Sequence, residues 1–292
     1  MFAFSPFGKL HFHFVNNPGM RTLTEKLKYC RTDAPDSKSV PIFCYTFCAP
    51  LRHIKWSFYK GIPYKAEVIN NEHGEIEKIL FQAVLFRSFL FFRLILLPLL
   101  WRMAVLQGGF YLLGTAYRKE NITYLLFANP GAGKTKYLLQ NIEHDSSIEF
   151  IGDGSLLYLP TRGVSPVLTE IELRYKTVYD TSFWKYLSRK NQIRLFLYHW
   201  IAMFSRRYIS FNITLPLDKL GLKIHSDILD SPHKIFKVLS ESQTEMITAE
   251  QIESSVMKYL YQYHKHFKNV FNDIPPFDAT IQNLKKFSEK YY

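Results

Sequence analysis

The sequence predicts an α/β protein whose main sheet contains a strand, a glycine-rich loop, a helix and a second strand in that order. Residues 122–127 form a short, almost wholly apolar run, as expected for a strand buried on both faces. A glycine-rich segment, 128–135, follows, and the residues after it have a helical pattern. A second apolar run occupies 148–152. This order predicts a βαβ unit with both strands parallel in one sheet.

A smaller unit is predicted to precede this sheet. Residues 40–68 are rich in aromatic and β-branched side chains and contain turn residues, which predicts a small β-rich unit, with irregular or edge structure over 1–40. Residues 76–105 are predicted to form an apolar helix punctuated by arginines. The chain is therefore expected to divide into an N-terminal unit of 1–105 and a main domain of 106–292.

Several further elements are predicted within the main domain from apolar periodicity and breaker residues. They are a strand at 156–159, a helix within 183–209 that uses Trp184, Leu187, Leu195, Leu197 and Trp200 as apolar positions, a strand at 209–213, an amphipathic helix over 248–271, and a last helix after Pro275-Pro276.

The apolar helix also raises the question of a membrane span. Arg87, Arg93 and Arg102 interrupt it, and its charge-free stretches are shorter than the roughly 20 residues that a span needs. Pro98 is expected to kink it. Because unpaired guanidinium groups are costly in lipid, we predict that this helix packs inside the protein, with its arginines at the rim or paired, and that the chain has no membrane span. The alternative is peripheral contact of this helix with a membrane.

Composition and charge restrict the classes of partner. The chain has 37 Lys and Arg against 25 Asp and Glu, a net charge of +12, which favours acidic partners. The basic residues are scattered, so a generic basic surface is favoured over a nucleic-acid-binding face. The chain has three cysteines, an odd number without the spacing of a metal site, which favours reduced thiols over disulfides. The N-terminus does not resemble a secretory signal. A cytoplasmic location is the resulting prediction.

The loop between the two apolar runs carries the clearest chemistry. Its sequence, Ala128-Asn129-Pro130-Gly131-Ala132-Gly133-Lys134-Thr135, matches a P-loop with Ala in the first position. Glycines let backbone N–H groups approach phosphates, and the helix that follows directs its positive dipole towards them. The lysine is predicted to reach the β- and γ-phosphates and the threonine hydroxyl to ligate Mg²⁺. The sequence therefore predicts binding of ATP and Mg²⁺ through Asn129, Pro130, Gly131, Ala132, Gly133, Lys134 and Thr135.

Asp153 follows the second apolar run. Mg²⁺ in such sites is usually held on its far side by a carboxylate near the end of a neighbouring strand, and we predict that Asp153 shares the metal with Thr135. The alternative is a turn-forming aspartate before Gly154. Glu170 and Glu172 lie on an alternating, strand-like segment; either could supply a base, although a solvated strand face explains the same pattern.

A family resemblance rests on three stretches: Gly108-Gly109-Phe110-Tyr111-Leu112-Leu113-Gly114-Thr115-Ala116, the P-loop, and Phe150-Ile151-Gly152-Asp153. Together they resemble the C-terminal catalytic domain of the HPr serine kinase/phosphorylase, and more closely the HPr-kinase-like proteins of bacterial biosynthetic and polysaccharide gene clusters. The similarity covers roughly residues 100–240. It implies a P-loop sheet like that of phosphoenolpyruvate carboxykinase, with ATP, Mg²⁺ and phosphoryl transfer to a hydroxyl. Lys134 and Asp153 would be the catalytic residues.

Two positions depart from that family. Its members usually carry a histidine where this chain has Leu113, and a second aspartate where it has Gly154. Two functions therefore stay open: an ATP-dependent kinase that phosphorylates a small molecule or a protein serine, and a catalytically degenerate nucleotide-binding regulatory or scaffold protein. The phosphate acceptor and the oligomeric state, a homo-oligomer included, are left open by the sequence.

Overall fold

The structure is a computed structural model that describes residues 2–4, 12–16, 20, 23, 31–32, 40–45, 51, 53–59, 61–73, 75–127, 132–160, 163–167, 170–205, 212–216, 233–240, 243–246, 267–271 and 276–291. It is a mixed α/β protein whose secondary structure includes a seven-stranded and a six-stranded sheet.

The chain divides into two compact units. The first comprises Met1–Met103 and Leu260–Pro276, and the second comprises Ala104–Tyr259 and Phe277–Tyr292. The first division lies close to the predicted one at 105/106. The prediction of a single domain over 106–292 differs from this division, because Leu260–Pro276 groups with the first unit. Within that unit the ring of Phe267 packs edge-on against Trp101, with centroids 5.9 Å apart.

The first unit is built on the seven-stranded sheet. Its strands are β1 (Phe2–Phe4), β2 (Phe12–Asn16), β3 (Arg31–Thr32), β4 (Val40–Tyr45), β5 (Ser57–Tyr59), β6 (Ile62–Asn70) and β7 (Ile76–Ala83). They lie in the order β3–β1–β2–β4–β7–β6–β5, so the strands of residues 1–40 form one end of the sheet. Residues in β4 alternate between buried and half-buried, as the period of two in a strand requires.

The predicted helix over 76–105 was wrong in its first part, because residues 76–83 form strand β7. This strand pairs parallel with β4 and antiparallel with β6. An apolar run as short as Ile79–Phe81 fits a buried strand and a buried helix equally well, and its pairing partners decide between them.

The helix itself, α1, spans Arg87–Leu106 and includes a π-helical turn at Phe92–Leu96. Pro98, two residues after the end of that turn, lacks the N–H of a regular helical hydrogen bond. By length and composition α1 could cross a membrane. However, 72% of an 18-residue apolar segment within it is buried inside the protein. Arg87, Arg93 and Arg102 are only half-buried, and Arg87 Nε donates to the Ala83 carbonyl at 2.7 Å. The predicted packing of this helix inside the protein is confirmed.

The second unit is built on the six-stranded sheet. Its strands are β8 (Phe110–Lys119), β9 (Ile122–Phe127), β10 (Glu149–Leu159), β11 (Gly163–Pro166), β14 (His233–Ser240) and β15 (Gln243–Met246), and β12 (Glu170–Leu173) pairs with β13 (Ile213–Pro216) in a separate two-stranded sheet. The order of the larger sheet is β11–β10–β8–β9–β14–β15. The described helices are α2 (Lys134–His144), α3 (Tyr175–Val178), a 3₁₀ turn (Ser182–Tyr186), α4 (Arg189–Phe204) and α6 (Phe277–Tyr291), with α5 (Phe267–Phe271) in the first unit.

The predicted parallel orientation of the two apolar runs is confirmed, and so is the helix that begins at Lys134. Strand β8 pairs antiparallel with both β9 and β10, so β9 and β10 run in the same direction within one sheet. They are not neighbours, however, because β8 lies between them. Residues 110–119, to which the sequence assigned no strand, therefore form the centre of this region of the sheet.

Other segments also differ from prediction. Residues 156–159 are not a separate strand but the second half of β10, which runs on through Asp153. The predicted helix within 183–209 is α4, preceded by the 3₁₀ turn, and the strand expected at 209–213 begins at Ile213. Most of the helix predicted over 248–271 lies outside the described residues, apart from α5. The last helix, α6, is confirmed.

The core of the second unit lies between α2, the sheet and α4. Buried apolar side chains from each element meet there, and they include Leu138, Leu139, Phe150, Ile171 and Leu195. On another face of the sheet, Phe287 of α6 packs against the stacked rings of Phe110 and Tyr158. Packing of α2 against β8 brings the first turn of α2 close to β8 and β10.

Candidate functional site

The start of helix α2 is defined by a glycine in a left-handed conformation. Gly133 has φ +95° and is the N-terminal cap, and its carbonyl accepts from Tyr137 N at 2.8 Å. A side chain is disfavoured at such a φ, which explains why glycine occupies this position. The structure describes Ala132, Gly133, Lys134 and Thr135 of the predicted loop. Asn129, Pro130 and Gly131 lie outside the described residues.

Two of the predicted site residues meet directly. The Thr135 hydroxyl in the first turn of α2 donates to the carboxylate of Asp153, at 3.0 Å from Oδ2 and 3.2 Å from Oδ1. Asp153 was expected at the end of a strand adjacent to β9, and both parts of that expectation were wrong. It lies in the middle of β10, beyond β8, and a register irregularity between Phe150 and Gly152 precedes it.

Thr115 of β8 completes this cluster, although no role was predicted for it from the sequence. It lies directly opposite Asp153 in the antiparallel register, where paired side chains share one face of the sheet. Its hydroxyl donates to Asp153 Oδ1 at 2.5 Å. The available signal was a polar residue within the apolar run Phe110–Ala116. Thr115 is fully buried, and a buried hydroxyl requires a hydrogen-bond partner.

The electrostatics of the site centre on Asp153 and Lys134. Loss of hydration raises the pKa of Asp153, and the charge of Glu172 acts in the same direction, while the hydrogen bonds from Thr115 and Thr135 and the charge of Lys134 oppose the rise. Loss of hydration also lowers the pKa of Lys134. Each group is thus held in a place where its charged form is poorly solvated, which favours a ligand or ion of opposite charge.

Strand β12 and the residue that follows it bring two further charged side chains towards the site. Ile171 and Leu173 are buried, so the alternate residues Glu172 and Arg174 are exposed. The charge of Glu172 acts on Asp153 and that of Arg174 on Lys134. Glu172 Oε2 also accepts from Asn212 Nδ2 at 2.6 Å. The sequence had named Glu170 and Glu172 as weaker candidates for a base. It missed Arg174, whose proximity to Lys134 depends on tertiary packing.

The two departures from the family pattern have definite positions. Leu113 was expected before the first strand but lies within β8, opposite Ser155. Gly154 has φ +86° and is exposed, and a Cβ added to it would meet no atom within 4 Å. An aspartate there would have space but would carry the strain of a left-handed backbone. The glycine therefore suits the local backbone of this chain.

The oxygen atoms of this cluster suit a small, hard cation. The Thr135 hydroxyl is 3.0 Å from Asp153 Oδ2, so the two oxygens are close enough to contact one small ion. Among the described residues no group of three or more His, Cys, Asp or Glu side chains is arranged to hold a metal. Mg²⁺ typically needs only one or two carboxylates together with substrate phosphates and water, so Thr135 and Asp153 fit that ion.

Comparison with protein-family models found no matching family, and comparison with curated proteins found no matching relative.

Proposed function

We propose that this protein binds ATP with Mg²⁺ at the start of α2 and transfers the γ-phosphate to a hydroxyl of a small molecule or a protein serine, as HPr-kinase-like proteins do. The observation that carries the proposal is the contact between Thr135 and Asp153. It places a hydroxyl and a carboxylate together at the N-terminus of a helix, next to the partly buried Lys134.

Lys134 and the helix N-terminus would hold the triphosphate. Backbone N–H groups in the first turn of α2 carry the positive end of the helix dipole and point towards an anion. The ammonium of Lys134, whose pKa is lowered by burial, would gain phosphate oxygens in place of the water it has lost. Arg174 adds a second positive charge near the same point.

Thr135 and Asp153 would hold Mg²⁺, which when bound neutralises charge on the β- and γ-phosphate oxygens. In the transfer, a bond forms between the acceptor oxygen and the γ-phosphorus as the bond from that phosphorus to the bridging oxygen breaks. ADP leaves with the electron pair of the broken bond. Asp153, whose pKa is raised by burial, accepts the proton of the acceptor hydroxyl.

A second candidate function is nucleotide binding without transfer, in a regulatory or scaffold protein. Gly154 and Leu113 favour it, because they stand where the family usually has a second aspartate and a histidine. With Gly154, Asp153 alone would have to bind the metal and accept the proton. Measuring ATP turnover by the wild type, with and without candidate hydroxyl acceptors, separates the two: binding without turnover identifies the second function.

Calorimetric titration of ATP with Mg²⁺ tests nucleotide binding. Lys134→Ala should weaken binding by about 2–4 kcal/mol, because it removes a charge-assisted contact with phosphate oxygens. The control is Lys286→Ala, which removes one positive charge from an exposed position on α6. Equal affinities for both variants, or no ATP binding by the wild type, would refute the proposed site.

The same titration in the presence of a chelator tests the role of Asp153. Asp153→Asn should lose most of the Mg²⁺-dependent increase in affinity and keep nearly the wild-type affinity for Mg²⁺-free nucleotide. The reason is that an amide is a poorer ligand than a carboxylate for a hard cation but leaves the contacts of Lys134 in place. Wild-type behaviour of this variant with Mg²⁺ would make Asp153 a purely structural residue.

A further inference from the structure

Helix α4 is apolar on two opposite sides, and only one of them is buried by the protein. Leu195 is completely buried and belongs to the core of the second unit. On the other side Ile193, Phe196, Leu197, Trp200, Ile201 and Phe204 follow one another at intervals of three and four residues, the spacing of one helix face. We call these six residues the α4 stripe.

The α4 stripe is exposed along its whole length. The exposed fraction of its side chains ranges from 42% for Trp200 to 78% for Phe204, and the neighbouring Met203 is 58% exposed. A single exposed apolar side chain is ordinary, but a continuous helical stripe marks a surface that binds another apolar phase.

On α4 and in the residues next to it in the sequence, the charged side chains are all basic. Residues 181–217 contain no Asp or Glu, and their basic residues are Lys185, Arg189, Lys190, Arg194, Arg206 and Arg207. Of these, Arg189, Lys190 and Arg194 lie on α4 itself and are exposed. The surface is thus apolar along its centre and positively charged beside it, which complements an anionic, amphipathic partner.

The aromatic side chains of the stripe favour a lipid surface as the partner. Three aromatic rings contact one another in series along the stripe: Phe196 lies edge-on to Trp200, with centroids 6.0 Å apart, and Trp200 is tilted against Phe204, at 5.4 Å. Aromatic rings, and tryptophan in particular, favour the boundary between lipid headgroups and acyl chains, and basic residues interact with anionic headgroups at that level.

A second copy of the chain fits this surface less well. A twofold dimer formed through the α4 stripe would place the same patch against itself. The basic residues beside it would then face basic residues, without an acidic residue in the same segment to pair with them. An anionic lipid surface supplies both the apolar phase and the opposite charge.

We propose that α4 is an interfacial helix that docks this protein onto membranes containing anionic lipids. The α4 stripe inserts among the upper acyl chains, and Arg189, Lys190 and Arg194 contact the headgroups. The helix lies in the plane of the membrane, since Leu195 on its other side stays in the protein core. This docking is independent of the nucleotide-binding proposal, because the stripe includes neither Lys134, Thr135 nor Asp153.

Co-sedimentation of the full chain with vesicles tests the proposal. We expect binding to vesicles of phosphatidylcholine that contain phosphatidylserine, and at least about tenfold weaker binding to phosphatidylcholine alone. Raising the salt from about 0.1 M to about 1 M should weaken the binding, since it shortens the Debye length from about 10 Å to about 3 Å. Equal binding to both kinds of vesicle, or binding to neither, would overturn the proposal.

Two matched pairs of variants locate the surface. Leu197→Glu should lower binding at least about tenfold, whereas Leu106→Glu, at an exposed leucine outside α4, should leave it unchanged. Lys190→Gln should weaken binding to anionic vesicles more than Lys286→Gln, which removes an exposed charge from α6. Equal losses within either pair would overturn the proposal. So would light scattering that shows a dimer that Leu197→Glu dissociates, because a second copy would then cover the stripe.

Discussion

At the scale of single residues, the site depends on where Asp153 is held. Its carboxylate accepts hydrogen bonds from Thr115 on β8 and from Thr135 on α2, so one side chain connects two elements of the second unit. The same burial that allows these contacts raises its pKa. The carboxylate is therefore well connected but poorly solvated, and its negative charge is a cost until a cation binds.

The pH dependence of stability tests this description of Asp153. An acid whose pKa is raised by folding contributes stability below its unfolded pKa, about 3.9, and loses that contribution as the pH rises through the folded value. Asp153→Asn should therefore unfold at a higher temperature than the wild type at neutral pH without divalent cations. The difference should shrink as the pH falls towards 4, in a series of thermal melts.

Asp145 provides a control of opposite sign. Hydrogen bonds from Lys119 and Ser147 lower its pKa, so its contribution to stability is present above the unfolded pKa and is lost as the pH falls. Asp145→Asn should thus lower the melting temperature at neutral pH and have little effect in acid. The description of Asp153 would be contradicted if both variants shifted the melting temperature in the same direction at neutral pH.

At the scale of elements, α4 has one face in the core and one face exposed. Leu195 and Leu197 are two residues apart on this helix, yet the first is completely buried and the second is 53% exposed. The sequence predicted both leucines as apolar positions of one helix, without distinguishing between them. The helical turn separates them by about 200°, and only packing against the rest of the unit decides which of them is covered.

This difference predicts unequal effects of the same mutation. Leu195→Ala should lower the free energy of unfolding by about 2–5 kcal/mol, because it removes buried methyl groups and leaves a cavity. Leu197→Ala should change it by no more than about 0.5 kcal/mol. Urea denaturation in the absence of lipid measures both variants. A large loss for Leu197→Ala would mean that the protein itself covers the α4 stripe, which would also contradict membrane docking.

At the scale of the whole molecule, the helix with the higher apolar content is not the helix that we propose to contact a membrane. Helix α1 is the most apolar helix in the described part of the chain, and it is largely buried, which leaves little of it to contact lipid. The moderately apolar α4 exposes its stripe. Overall hydropathy therefore identifies the wrong helix for lipid contact, because exposure and neighbouring charge matter more than apolar content for a peripheral helix.

Fractionation of cells that express the chain tests this assignment. Any membrane-associated fraction should be released by high salt or alkaline carbonate, since a peripheral helix is held by charge and a shallow apolar contact. Leu197→Glu should reduce the membrane-associated fraction before any extraction, and Leu106→Glu should not. Release by detergent alone would show instead that α1 or another segment spans the membrane, and would contradict the buried position of α1.

Local sequence predicted the elements whose signals are contained in a few consecutive residues. The apolar run of β9, the glycine that starts α2 and the final helix α6 were all predicted at or near their positions. The contact between Thr135 and Asp153 agrees with the predicted pairing of these two residues at one site. The two helices and the strand follow from the local pattern of apolar residues, breakers and glycine.

Tertiary structure decided which strands are neighbours and which side chains meet. The sequence of the mainly apolar run Phe110–Ala116 does not show which strands it pairs with. In the structure it forms part of β8, which pairs with both β9 and β10 and lies between them. The pairing of β10 with β8 continues past Asp153, although the sequence predicted Asp153 at the end of a strand. The register of this pairing also places Thr115 opposite Asp153. Strand order and side-chain contacts depend on groups far apart in the chain, which local propensity does not encode.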